Sequence, residues 1–179
     1  MPLMRALGPG SVSSFLKIIL DVVFYALWVG LGASGLMLFA ALLLSFNPDL
    51  IGDIALSVGE SKLLSSGPVL MGAILAVGLY LAGVLVIVAR LRQIFATLTA
   101  GDPFHPDNVA RLRVIGLMLA ALELGRYGFQ IASAWLLPGR NQVDSNLNLT
   151  AWFSVLVVFV LAEVFREGAR LRREAELTI

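Results

Sequence analysis

Glu123 and Arg126 stand three residues apart inside a long apolar stretch, where charge is rare and has to be explained. At that spacing a carboxylate and a guanidinium meet on one helix face. Two chemistries are open to them: a neutralised ion pair that glues helices together, or a step in an ion or proton pathway. Counted from Val114, Glu123 lies roughly 14 Å along its helix, which puts it near mid-bilayer. A lone charge there costs at least about 2.5–3.5 kcal/mol on insertion scales, and pairing lowers that cost. Tyr127 and Gln130 continue a polar stripe, and Gly116 and Ala120 extend it in small residues, so this face is expected to point at other helices. Structural glue is the preferred reading, because Tyr80 is the main polar residue another span offers at similar depth.

Other chemistry is sparse. The chain has no cysteine, which excludes disulfides, thiolate metal sites and cysteine nucleophiles. His105 is its one histidine, so a histidine-rich metal site within a single chain is excluded too. Asp21 and Glu163 are the remaining acidic candidates in or beside the spans, but they sit at the cytoplasmic end while Glu123 lies deeper. Paired-carboxylate catalysis needs the groups within several ångströms, and the spacing shows no such convergence. No catalytic, cofactor-binding or metal-ligating residue is assigned, no cofactor is expected, and the chain is read as a non-enzyme.

The elements that must position these residues are membrane helices. Of the 179 residues 59% are hydrophobic and only 14% charged, where soluble domains carry about 25% charged residues. The apolar residues gather in four blocks, at about 18–46, 67–89, 114–137 and 149–165, each near the ~20 residues that cross a bilayer. The fourth block is the shortest and leans on Trp152 and Glu163 at its two interfaces; Trp135 plays the belt role for the third. The first block, apolar from Val22 to Phe46, is longer than a signal-peptide core and is read as a retained span. The expected fold is therefore all-α: one polytopic membrane domain over 1–179, a four-transmembrane-helix bundle with a helical hairpin at 90–113 and a helical tail at 166–179.

Orientation follows from the basic residues. Arg5, Lys17, Arg90, Arg92, Arg111, Arg113, Arg166, Arg170, Arg172 and Arg173 flank the spans on one side, against Lys62 and Arg140 on the other. The positive-inside rule makes the first set, and with it both termini, cytoplasmic in a bacterial inner membrane. Of the two outer loops, 47–66 has the spacing of a short amphipathic helix at Leu50, Ile51, Ile54 and Val58, and 138–148 is polar and expected to be irregular. With a net charge of +1, direct nucleic-acid binding is not expected. Gly30 with Ser34 and Gly72 with Ala76 have small-xxx-small spacing, which serves bundle packing or a homo-oligomer.

The hairpin is the most patterned stretch. Leu91, Ile94, Phe95 and Leu98 form one face of a helix that continues the second span. Gly101 fits a helix C′ position with Pro103 beyond it, and Asp107, or His105 ahead of Pro106, is placed to cap the next helix. In the tail, Arg170–Glu174 and Arg172–Glu176 are i,i+4 pairs, and Leu171, Ala175 and Leu177 line one side. The bland reading is a pair of interfacial elements whose arginines meet lipid phosphates. The functional reading is a docking surface carried by Arg90, Arg92, Phe95, Phe104, Asn108, Arg111, Arg113, Arg166, Glu167, Arg170 and Arg173.

At Arg90-Leu-Arg-Gln-Ile-Phe95, Gly101-Asp-Pro-Phe104, Asn108 to Gly116, Glu163 to Leu171 and the closing Glu176-Leu-Thr-Ile179, the chain resembles a bacterial family. These are small four-helix membrane proteins classed as a domain of unknown function, often encoded beside a short Cro/CI-type helix-turn-helix regulator. The resemblance runs from about the first span to the terminus. It implies a partner, a small DNA-binding protein held at or released from the membrane. The leading expectation is thus a membrane regulator or anchor that binds a helix-turn-helix transcription factor. The alternative is a small oligomeric transporter or channel subunit using Glu123 and Arg126.

Overall fold

The computed structural model describes residues 12–45, 67–136 and 148–177. The outer loops, including the amphipathic segment expected near Leu50–Val58, lie outside the described residues except for Asn148. Four helices make up the described structure: α1 (Val12–Ser45), α2 (Gly67–Thr99), α3 (Pro106–Leu136) and α4 (Leu149–Glu176). No strand occurs among the described residues. Each helix is long and apolar enough to cross a membrane, the layout of a multi-pass membrane protein. At about 1.5 Å per residue they run roughly 42–51 Å, well past the ~30 Å of a hydrocarbon core. Hairpin and tail are continuous with the spans rather than separate helices.

Consecutive helices make the main interfaces, α1 on α2, α2 on α3 and α3 on α4. All three pairs are antiparallel. Close approach is fixed where a glycine faces a side chain. A Cβ on Gly30 of α1 would touch Leu81 of α2 at 3.5 Å, and one on Gly78 would meet Ser34 Oγ at 3.3 Å. The Gly30/Ser34 stripe therefore seats α1 on α2. Gly72 faces open space, so the second small-residue pair does not pack in the same way. Farther along, Gly83 accepts Leu122, and Gly116 lies under the Phe159 ring.

The core sits at the arginine-rich end. Ile94 of α2, Leu112 and Ile115 of α3 and Ala162 of α4 are buried together, with Ile87, Leu91, Leu98, Leu119, Val158 and Phe165 packed around them. Leu91, Ile94 and Leu98 are three of the four apolar positions the hairpin pattern singles out, and they turn to this core. Large apolar side chains elsewhere point outward, Val29, Leu36, Leu79 and Leu156 among them. On helices of this length, that is the arrangement a lipid solvent favours.

Candidate functional site

The hairpin is built by backbone geometry first. Gly101 has φ +83°, the left-handed conformation that glycine adopts at little cost. Its N–H donates to Leu98 O at 3.1 Å and the N–H of Asp102 donates to Thr97 O at 3.0 Å, the paired bonds of a Schellman ending. Five residues later α3 opens at Pro106, whose fixed φ suits a first helical position. His105 precedes it as the cap: its Nδ1 accepts from the Asp107 N–H at 3.3 Å and its carbonyl from the Asn108 N–H at 2.9 Å.

Asn108 ties the turn together. It is fully buried. Its Nδ2 donates to Thr97 Oγ1 at 2.8 Å and to Pro103 O at 3.1 Å, and its Oδ1 accepts from Arg111 Nη1 at 2.8 Å. Arg111 Nη1 also reaches Gln93 O at 3.3 Å, so the same cluster bridges back to α2. A buried amide with both of its groups partnered fixes one arrangement, because every alternative leaves a polar atom unsatisfied.

The turn in turn grips the tail. The Phe104 ring lies 5.7 Å from that of Phe165 and covers Gly168, where an added Cβ would fall 2.5 Å from Phe104 Cε1. Beside it, Asp102 pairs with Arg172 across the gap between hairpin and α4. The i,i+4 partner expected for Arg172, Glu176, has its side chain outside the described part of the structure.

The eleven docking candidates thus fall into two groups. Asn108, Phe104 and Arg111 are engaged inside the turn or against the tail, as above. Arg92 joins them: it pairs with Asp21 of α1 at 2.6 Å and stacks over Phe24 at 4.2 Å. Phe95 is half-buried. Arg90 bonds Gln93 at 3.0 Å, and Arg113, Arg166, Arg170 and Arg173 are exposed. Arg166 pairs with Glu163, and Arg170 with Glu167 at 2.5 Å and with Glu174 at 3.5 Å. Arg173 donates to Ala169 O at 3.3 Å. Arg90, Arg113, Arg166, Glu167, Arg170 and Arg173 are the charged groups available to a partner.

Several partners escaped the sequence reading. Thr97 and Gln93 supply the hydrogen bonds that bury Asn108 and hold Arg111, and Gly168 supplies the seat for Phe104. The Asp21–Arg92 pair had a usable signal, since both residues were already assigned to the same membrane face.

The intramembrane pair forms as expected. Arg126 Nη2 donates to Glu123 Oε1 at 2.7 Å, Nε bonds both carboxylate oxygens at 3.2 Å, and Glu123 is buried. The guanidinium also lies 4.6 Å over the Tyr127 ring. Tyr127 Oη accepts from the Asn148 N–H at 3.1 Å, and Asn148 is the N-cap of α4. Arg126 therefore stands level with the start of the fourth span, and Glu123 about one turn below it.

The family described as "Protein of unknown function (DUF2975)" matches residues 68–179. That range takes in α2, the hairpin, α3 and α4, and begins after α1, whereas the resemblance read from the sequence began at about the first span. No curated protein and no solved structure matches. The buried turn, its seat on α4 and the Glu123–Arg126 pair all lie in the matched range, and the chain belongs to the DUF2975 family of unknown function.

Proposed function

We propose that the protein is a non-enzymatic membrane regulator or anchor whose arginine-rich end faces the bacterial cytoplasm and binds a small helix-turn-helix transcription factor. The observation that carries the reading is the fixed hairpin–tail unit. Asn108 locks the turn, Phe104 and Asp102 clamp it to α4, and Arg90, Arg113, Arg166 and Arg170 remain on its outer side. A rigid arginine-bearing surface loses little entropy on binding and suits a partner that presents carboxylates. An acidic patch on the regulator is the complementary surface, leaving its basic DNA-reading helix free. The resemblance to proteins encoded beside Cro/CI-type regulators supplies the partner class.

Co-purification in mild detergent tests this with a small helix-turn-helix regulator from the same bacterium tagged. The membrane protein should be recovered with it, and Arg113→Glu with Arg166→Glu should abolish recovery while leaving the helical content unchanged. Removing the tail from Phe165 is a poorer test, because Phe165 and Ala169 pack inside the molecule. The transport alternative is less favoured: three hydrogen bonds commit the Glu123 carboxylate to Arg126, and its side chain is 9% exposed.

A further inference from the structure

An open groove of about 750 Å³ runs between α2 and α3 on the side away from the hairpin core. Small and apolar residues form nearly all of it, including Ala76, Gly83, Ala121 and Gly125, and it extends toward Val86 and Met118. Two polar side chains interrupt that surface, Tyr80 and Arg126. Arg126 spends Nε and Nη2 on Glu123 and lies over Tyr127, and its side chain remains 37% exposed along the groove. A guanidinium carries five N–H donors, and donors left without an acceptor beside hydrocarbon are costly. Arg126 is level with the first residues of α4, in the half of the molecule away from the arginine-rich end, from where a long guanidinium side chain can snorkel toward the headgroups of that leaflet.

We propose that this groove is a binding site for one glycerophospholipid of that leaflet. A phosphate or ester oxygen accepts from the Arg126 guanidinium, with the Tyr80 hydroxyl lining the same site. One acyl chain descends along Gly125, Leu122 and Gly83 toward Met118 and Val86. Guanidinium and phosphate match in geometry and charge, and the groove volume falls in the roughly 300–1,000 Å³ range of small-molecule sites. The inference rests on the membrane-spanning layout and is independent of any partner at the hairpin.

Gly125 makes the site testable, because a Cβ added there meets nothing within 4 Å while the residue lines the groove. Gly125→Leu should fill the acyl path without disturbing a packed neighbour, and Ala121→Leu serves as a second blocker. The intact protein would be extracted from bacterial membranes in mild detergent, delipidated stepwise, and weighed by native mass spectrometry with phospholipid quantified. The wild type should retain about one phospholipid per chain after bulk lipid is gone. Both blockers should clearly lower retention, because a leucine side chain would occupy the path the acyl chain packs into. Equal retention by wild type and both blockers, or no retention by any, would overturn the proposal. A blocker that converts a dimer to a monomer without losing lipid would also overturn it, identifying the groove as a contact between copies. If either blocker loses helicity, the other decides, together with Tyr80→Phe.

Discussion

Asn108 and Glu123 show how differently a polar side chain can be accommodated in one apolar protein. Asn108 is wholly buried, and its amide is matched by Thr97, Pro103 and Arg111. Asn108→Ala strips partners from three groups at once. The cost of orphaning buried polar atoms is about 1–3 kcal/mol each, reduced where water can reach them, so a loss of roughly 2–4 kcal/mol is expected. Thermal unfolding in detergent would show it as a clear drop in midpoint, against little change for Arg113→Ala on the exposed side. Glu123 instead carries a charge neutralised by its neighbour. Glu123→Ala should destabilise, because Arg126 is left facing the apolar groove, while the double Glu123→Gln/Arg126→Gln should recover much of that loss. The helix spacing made this pair readable, since i,i+3 is a local relation. The environment of Asn108 was not readable, because Thr97 lies eleven residues away and meets it only once Gly101 has turned the chain.

At the scale of elements, the seat of Phe104 on Gly168 is the contact that joins hairpin to tail. Gly168→Ala places a Cβ 2.5 Å from the ring, and overpacking of this kind costs about 1–3 kcal/mol. Removing the ring relieves the clash, so Phe104→Ala and Gly168→Ala should be strongly non-additive in a double-mutant cycle. Additive losses would mean that the two residues do not act on one another. The helix ends were legible from Gly101, Pro103 and Pro106, because glycine and proline act through backbone geometry alone. The continuation of α4 to Glu176 was legible as a helical tail, but its clamping by Phe104 and Asp102 was not. Aromatic-on-glycine packing depends on the crossing of two helices, and neither residue announces it. The α1–α2 interface is similar: the Gly30/Ser34 spacing indicated a packing face, while its partners Leu81 and Gly78 came only with the register. There the Asp21–Arg92 bridge is a locator more than a source of stability, since such half-exposed pairs contribute about 0–1 kcal/mol.

For the molecule as a whole, composition alone settled that four helices are long and apolar enough to cross a membrane, because a bilayer demands nearly uniform apolar blocks. Their lateral order was not legible. The buried core joins α2, α3 and α4 at the arginine-rich end, while α1 rests on α2 outside it and outside the range matched by the family. The absence of native cysteine makes topology directly measurable. Single cysteines introduced at Thr178 and at Gln142 should react oppositely with an impermeant thiol reagent in intact cells, Gln142→Cys labelled at once and Thr178→Cys only after permeabilisation. Labelling of Thr178→Cys alone would invert the cytoplasmic assignment, and labelling of both from outside would dismantle the four-span layout. The proposed partner surface makes the sharper demand. A photo-crosslinking residue at Arg113 should capture a tagged helix-turn-helix regulator of the proposed class in living cells, and the same residue at Trp135, at the far end of α3, should not. A crosslink of equal yield from both positions, or none from Arg113, would contradict the docking account.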